Sequence, residues 1–164
     1  MDPVYARNKL ILITAFVTMA VTSAVWIGLG TVGYFAMYRE PPSFQLEVNH
    51  PGIVEEGDVF RLTVEVTNVG AKDLKLANVD FYEDLLEGFE LVSAHPAPRS
   101  VEKIIGYASY NFGHNLPPGE TFMIELSLKA KDVGLWGGDI DACTPTQNLV
   151  THYTEIEVVA PPVP

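Results

Sequence analysis

A run of 29 residues without a single Asp, Glu, Lys, Arg or His, from Leu10 to Tyr38, constrains this chain more than any other feature of it. A bilayer core penalises charged side chains and unpaired backbone groups, so an apolar run of this length reads as one membrane-crossing α-helix. At about 1.5 Å per residue it reaches roughly 44 Å, more than the ~30 Å hydrocarbon core, which places the core near Leu10–Gly30. Tyr34, Phe35 and Tyr38 then fall at the far interface, where amphipathic rings are favoured. Pro41-Pro42 ends the helix, because proline lacks the amide donor that the ladder needs. A cleaved signal peptide is the competing reading. Arg7 and Lys9 supply its basic start, and Thr22-Ser23-Ala24 its small-residue cleavage site. The apolar run continues 14 residues beyond Ala24, however, about twice a typical signal core, so an uncleaved anchor is expected.

Charge sets the orientation. Arg7 and Lys9 precede the span and Arg39 alone closely follows it, which puts the N-terminus in the cytoplasm. After Lys9, 8 Lys and Arg (10 less Arg7 and Lys9) stand against 20 Asp and Glu (21 less Asp2), a net charge of −12. An anionic cytoplasmic leaflet repels such a body, and a phosphate backbone does too, so nucleic acid is excluded as a partner. Inside the span Ala20, Ala24 and Gly28 share one face at four-residue spacing, with Thr14, Thr18 and Thr22 in a second row. Small residues let another helix approach closely, and hydroxyls can bond across the contact. They are also common in membrane helices generally. The expected partners are the lipid bilayer and integral membrane subunits packed on this face. With no His in the span, the helix has no imidazole for a haem or chlorophyll and no proton relay.

After the span the periodicity changes from helical to alternating. Phe44, Leu46 and Val48 alternate with Gln45, Glu47 and Asn49; Phe60, Leu62, Val64 and Val66 with Arg61, Thr63, Glu65 and Thr67. Phe122, Ile124, Leu126 and Leu128 do the same, as do Ile156 and Val158. Such alternation marks strands with one buried and one wet face. Weaker candidates are Leu76–Phe81, Phe89–Ser93, Ile104–Phe112 and Gly134–Cys143. Turn signals separate them at Pro51-Gly52, Asn68-Val69-Gly70, Glu87-Gly88, Pro96-Ala97-Pro98 and Asn115–Gly119. Gly70, Gly88 and Gly119 are expected to take positive φ at these turns. Seven or eight short strands predict a single antiparallel β-sandwich. The expected layout is a cytoplasmic tail (1–9), a transmembrane helix (10–38), a linker (39–42), the sandwich (43–160) and a Pro-rich tail (161–164).

Three stretches resemble the DUF11 and CARDB-like immunoglobulin-like modules of bacterial and archaeal envelope proteins. Phe60–Gly70 is similar to their opening strand and N-x-G turn. Val79–Ser93 is similar to their D-x-L-P-x-G-F-x-x-V-S stretch, with Leu86 where the family has Pro. Asn115–Leu128 is similar to their L-x-P-G-E turn and following strand. The resemblance covers most of residues 58–159. It implies an all-β, immunoglobulin-like antiparallel sandwich on the outer side of a bacterial or archaeal cytoplasmic membrane, periplasmic or extracellular, and it carries no catalytic residues. The family is often found in tandem arrays, whereas one copy here follows a helix, which argues against a surface stalk.

Chemical sites fare poorly. A single cysteine, Cys143, excludes an intrachain disulfide, a Cys-pair zinc ribbon and an iron–sulfur cluster held by this chain alone. Blue copper needs closely spaced His, Cys, His and usually Met, but the only His after Cys143 is His152, and no Met follows Met123. His50, His95, His114 and His152 are dispersed among turns without a ligand spacing. The acidic loops Glu55–Asp58, Glu83-Asp84 and Asp139–Asp141 lack the spacing of a calcium loop and read as solvated faces. No G-x-S-x-G, H-E-x-x-H or phosphate loop occurs. No catalytic, cofactor or metal residue is therefore expected. Tyr107 and Trp136 are candidate interface aromatics if exposed and core residues if packed. The expectation is a non-enzymatic accessory or structural subunit of a respiratory, photosynthetic, transport or secretion complex. The alternative is a cell-surface adhesion or carbohydrate-recognition module, with a metal or redox carrier third.

Overall fold

Alternating sequence and observed strand coincide most closely where the apolar residues are densest. The computed structural model describes residues 3–37, 43–146 and 148–162. The chain divides into two units, Met1–Glu40 and Pro41–Pro164. In the first, one α-helix runs from Pro3 to Met37 (α1). Its stretch Ile11–Tyr34 has a mean hydropathy of 2.0 and none of it is buried, so by length and composition it is able to cross a bilayer once. Tyr38, Arg39 and the Pro41-Pro42 stop lie outside the described residues.

The second unit holds ten strands and one short helix. These are β1 (Phe44–Asn49), β2 (Ile53–Glu55), β3 (Val59–Asn68), β4 (Leu74–Tyr82), α2 (Glu83–Glu87), β5 (Phe89–His95), β6 (Ser100–Ile104), β7 (Tyr107–Leu116), β8 (Thr121–Ala130), β9 (Gly134–Cys143) and β10 (Leu149–Val159). They form a four-stranded sheet in the order β1-β3-β8-β5 and a six-stranded sheet in the order β2-β10-β9-β4-β7-β6. All pairs are antiparallel except β2 with β10, which is parallel. The strand count exceeds the expected seven or eight for two reasons. Ile53–Glu55 is too short to show a period. The segment Ser100–Ile104, of which only Ile104 fell in the expected strand Ile104–Phe112, forms β6, set off from β7 by the turn at Ile105-Gly106, where Gly106 takes φ +91.

The core lies between the sheets. Leu62, Val64 and Val66 of β3 and Ile124, Leu126 and Leu128 of β8 are almost wholly enclosed, facing Val79, Phe81, Ile140 and Ile156 of the other sheet. Edge-to-face ring pairs fill the middle: Phe81 with Tyr110 at 5.0 Å, Phe60 with Phe89 at 5.2 Å, and Phe112 with Phe122 at 5.5 Å.

Turn glycines depart from expectation. Only Gly119 of the three takes positive φ, at +79; Gly88 sits at φ −71. Gly88 is instead required by space, because a Cβ there would lie 2.4 Å from the Trp136 ring. Gly70 is required in the same way, by the Ser43 side chain at 2.8 Å. Asn68, fully buried, ties three segments together. Its Nδ2 donates to the carbonyls of Lys72 and Leu116, and its Oδ1 accepts from the Gly70 amide.

Candidate functional site

Strand register arranges the outward side chains of the six-stranded sheet in rows, because opposed residues in a ladder share a face. One row runs Thr151 (β10), Asp141 (β9), Asp80 (β4), Ser109 (β7) and Glu102 (β6). On one side lies a row of Leu149, Cys143, Asn78, Asn111 and Ser100. On the other side Tyr153 stands opposite Asp139, and Tyr82 opposite Tyr107, which in turn faces Ile104. The site is thus a carboxylate row between an amide-rich row and a tyrosine row.

Hydrogen bonds hold the polar rows in place. Asn78 Nδ2 donates to Asp80 Oδ1 and to Ser109 Oγ at 3.1 Å. Thr151 Oγ1 donates to Asp141 Oδ1, and Asn111 Nδ2 to Glu102 Oε1 at 3.3 Å. The Cys143 thiol lies 3.7 Å from Asp80 Oδ2. Asp80 and Asp141 are half-buried and directly opposed, a like-charge arrangement that costs stability. Burial raises the Asp141 carboxyl above its ordinary value; the charges of Asp139 and Asp80 push the same way, and the Thr151 hydroxyl opposes them. Burial also pushes the Cys143 thiol up to about 12, helped by the two aspartates. It is therefore a neutral, unreactive group near pH 7.

The tyrosines form a broken aromatic surface. Tyr82 and Tyr107 have ring centroids 6.3 Å apart and planes tilted by 33°. Tyr153, 61% exposed, lies over Gly137, where an added Cβ would sit 2.6 Å from its hydroxyl. The Tyr153 hydroxyl donates to Glu155 Oε2 at 3.4 Å.

Of the aromatics picked from sequence, Tyr107 belongs to this surface, half-buried beside Tyr82. Trp136 does not. It faces inward with Gly138 and Ile140, packs on the core and against Gly88, and donates Nε1–H to the Asp132 carbonyl at 2.8 Å. The two residues therefore lie on opposite faces of one sheet. In α1, Ala20, Ala24 and Gly28 are exposed, and nothing lies within 4 Å of a Cβ built on Gly28. The threonine hydroxyls behave differently from expectation. Thr18 donates to the Thr14 carbonyl and Thr22 to the Thr18 carbonyl, so those donors are used within the helix rather than offered to a neighbour.

Among the described residues no group of three or more His, Cys, Asp or Glu side chains is placed to hold a metal ion. His50 contacts the Pro51 carbonyl, and His114 stacks on Phe122 at 4.2 Å. A groove of about 350 Å³ beside α2 has Leu86, Phe89 and Ala108 in its lining, with Lys103, Lys131, Glu83 and Glu87.

The folded unit is an immunoglobulin-like β-sandwich, the architecture that the turn-and-strand motifs imply. No family model matches the chain and no curated protein matches it. Among solved structures it is similar to the CARDB domain of a Pyrococcus furiosus protein, at 18% identity and TM-score 0.43 over 74% of this chain and 98% of that one. It is similar to a cohesin module of a Clostridium perfringens family 33 glycoside hydrolase, at 12% identity and TM-score 0.46 over 73% and 97%. It is also similar to Escherichia coli alpha-2-macroglobulin from domain MG7 to the C-terminus, at 23% identity and TM-score 0.48 over 73% of this chain. The chain spans 17% of that macroglobulin piece and 7% of a longer macroglobulin chain from the same organism.

Sequence reasoning missed Asp80, Asn78, Tyr82 and Tyr153 as site residues. Alternation alone puts Asp139, Asp141 and Cys143 on one face of β9. That Asp80 stands opposite Asp141 depends on β4 pairing with β9, two strands separated by four others in the chain.

Proposed function

We propose that this chain is a non-enzymatic, single-pass membrane protein whose sandwich binds partner proteins as an accessory subunit of a larger membrane complex. The observation that carries the reading is the outer face of the six-stranded sheet. It sets exposed tyrosines, a residue type enriched where proteins meet, beside half-buried carboxylates and hydrogen-bonded amides. The exposed small-residue face of α1 supports a second contact, inside the bilayer. In this reading the N-terminus is cytoplasmic and the acidic sandwich is on the opposite side, attached by the uncleaved helix.

Purification of the full chain in mild detergent, followed by mass spectrometry, tests the proposal. Stoichiometric co-migration with integral membrane subunits is the expected result, together with a mass that retains α1. A mature chain beginning at Val25 would remove the anchor, since an apolar helix near the N-terminus also fits a signal sequence. Protease protection of Ser43–Pro164 on the cytosolic side would reverse the topology.

A second reading, a surface module that recognises carbohydrate, draws on Tyr82, Tyr107 and Tyr153, whose rings offer apolar faces beside hydrogen-bonding groups. A solitary chain in detergent that binds a neutral oligosaccharide would favour it.

A further inference from the structure

Taking the partner-protein reading as its base, we infer that the outer face of the six-stranded sheet docks a cationic segment of that partner. The segment presents Lys or Arg to the Asp80–Asp141 row and rests guanidinium or aliphatic surface on Tyr82, Tyr107 and Tyr153.

Charge complementarity identifies the occupant, and the two sheets of the molecule provide the comparison. On the outer face of the four-stranded sheet, carboxylates and cations are interleaved. Arg61 pairs with Glu125 at 3.3 Å, and Lys129 stands opposite Glu90. Its like-charge pair, Glu47 opposite Glu65, involves edge strand β1. On the six-stranded face, Asp80, Asp139, Asp141, Glu102, Glu155 and Glu157 point outward from four strands, β10, β9, β4 and β6. Among the described residues the cations near this face are Lys75, near the start of β4, and Arg99, whose guanidinium lies over Gly113 of β7; both stand beyond the Asp80–Asp141 row. Opposed carboxylates cost stability in a free sheet, and half-burial adds to that cost by stripping water from them. A basic partner converts both costs into attraction.

The tyrosines are the independent part of the case. A purely acidic surface needs no rings, yet Tyr82 and Tyr107 adjoin the carboxylates, and Tyr153 stands opposite Asp139 with its hydroxyl over Gly137. An exposed ring face next to carboxylates suits an arginine, which stacks on aromatics and bonds carboxylates in one plane.

The test uses the full chain in neutral-lipid nanodiscs, titrated calorimetrically with a 12-residue peptide of alternating Arg and Thr. A peptide with Glu in place of Arg and a neutral hexasaccharide serve as comparison ligands. Binding of the Arg peptide is expected to weaken about tenfold in Asp80→Asn/Asp141→Asn and about twofold or less in Glu47→Gln/Glu65→Gln, which removes the same charge from the other face. Tyr153→Ala is expected to weaken it about threefold at both low and high salt. The double Asn variant should melt no lower than the parent; Glu102→Gln/Glu155→Gln gives the same readout should it misfold. Equal losses from both faces would mean attraction by net charge alone and overturn the inference. So would no binding, or binding of the hexasaccharide in place of the peptide. Co-migration with membrane subunits that survives in Asp80→Asn/Asp141→Asn would sink this surface while leaving the proposed function standing.

Discussion

Asn68 shows how much of this fold hangs on one amide. The side chain of this buried residue makes three hydrogen bonds, and its backbone makes two more, to Glu120 and from Gly119. In Asn68→Ala the carbonyls of Lys72 and Leu116 lose a donor, and at the buried Leu116 carbonyl water cannot replace it. Urea denaturation is expected to show a loss of about 3 kcal/mol. Cys143 makes a second residue-scale case. Its thiol is pushed up to about 12 chiefly by burial. Labelling by a thiol reagent at pH 8 should therefore run on the order of 100-fold slower in the folded chain than in guanidinium chloride. At this scale the sequence was readable in type but not in cause. Gly70 and Gly88 were recognisable as turn residues, whereas the side chains of Ser43 and Trp136 that demand glycine come from distant segments.

At the scale of elements, the strongest patterns translated directly. The charge-free run became α1, and the alternating runs beginning at Phe44, Phe60 and Phe122 became β1, β3 and β8, which pair with one another. Each sheet buries one face, so the period of two survives in the sequence. Weak patterns did not translate. β6 is exposed at every position, and its hairpin turn with β7 was invisible within an apolar stretch. For α1, the exposed Ala24 and Gly28 predict that Ala24→Leu/Gly28→Leu lowers recovery of co-purifying membrane subunits several-fold, as judged by quantitative mass spectrometry. Unchanged recovery would count against packing on this face. The threonine row is expected to matter less, because Thr18 and Thr22 already donate to their own helix.

For the whole molecule, the distribution of charge matters more than its sum. Asp141, on the six-stranded face, should make stability depend on pH in an unusual direction. Asp141 has its folded-state value raised, chiefly by burial and then by Asp139 and Asp80. A raised value means that its stabilising contribution is fully present below the ordinary 3.8 and is lost as pH climbs through the folded value. Asp141→Asn is therefore expected to melt above the parent at pH 7, the gap narrowing as the pH is lowered toward 4, as followed by circular dichroism of the full chain. An opposite sign would show that the Thr151 hydrogen bond to Asp141 more than offsets burial and repulsion. The sequence alone determined that there is one apolar helix and a strand-rich acidic body of sandwich type, because hydrophobic periodicity and turn chemistry are local properties; the immunoglobulin-like form was implied by the resemblance of three turn-and-strand stretches. Tertiary structure alone decided which carboxylates oppose each other, that Tyr107 faces out while Trp136 faces in, and which side chains enforce the turn glycines. Those facts depend on the order in which strands pair across the sheet, and pairing between strands far apart in the chain leaves no periodic trace in either one.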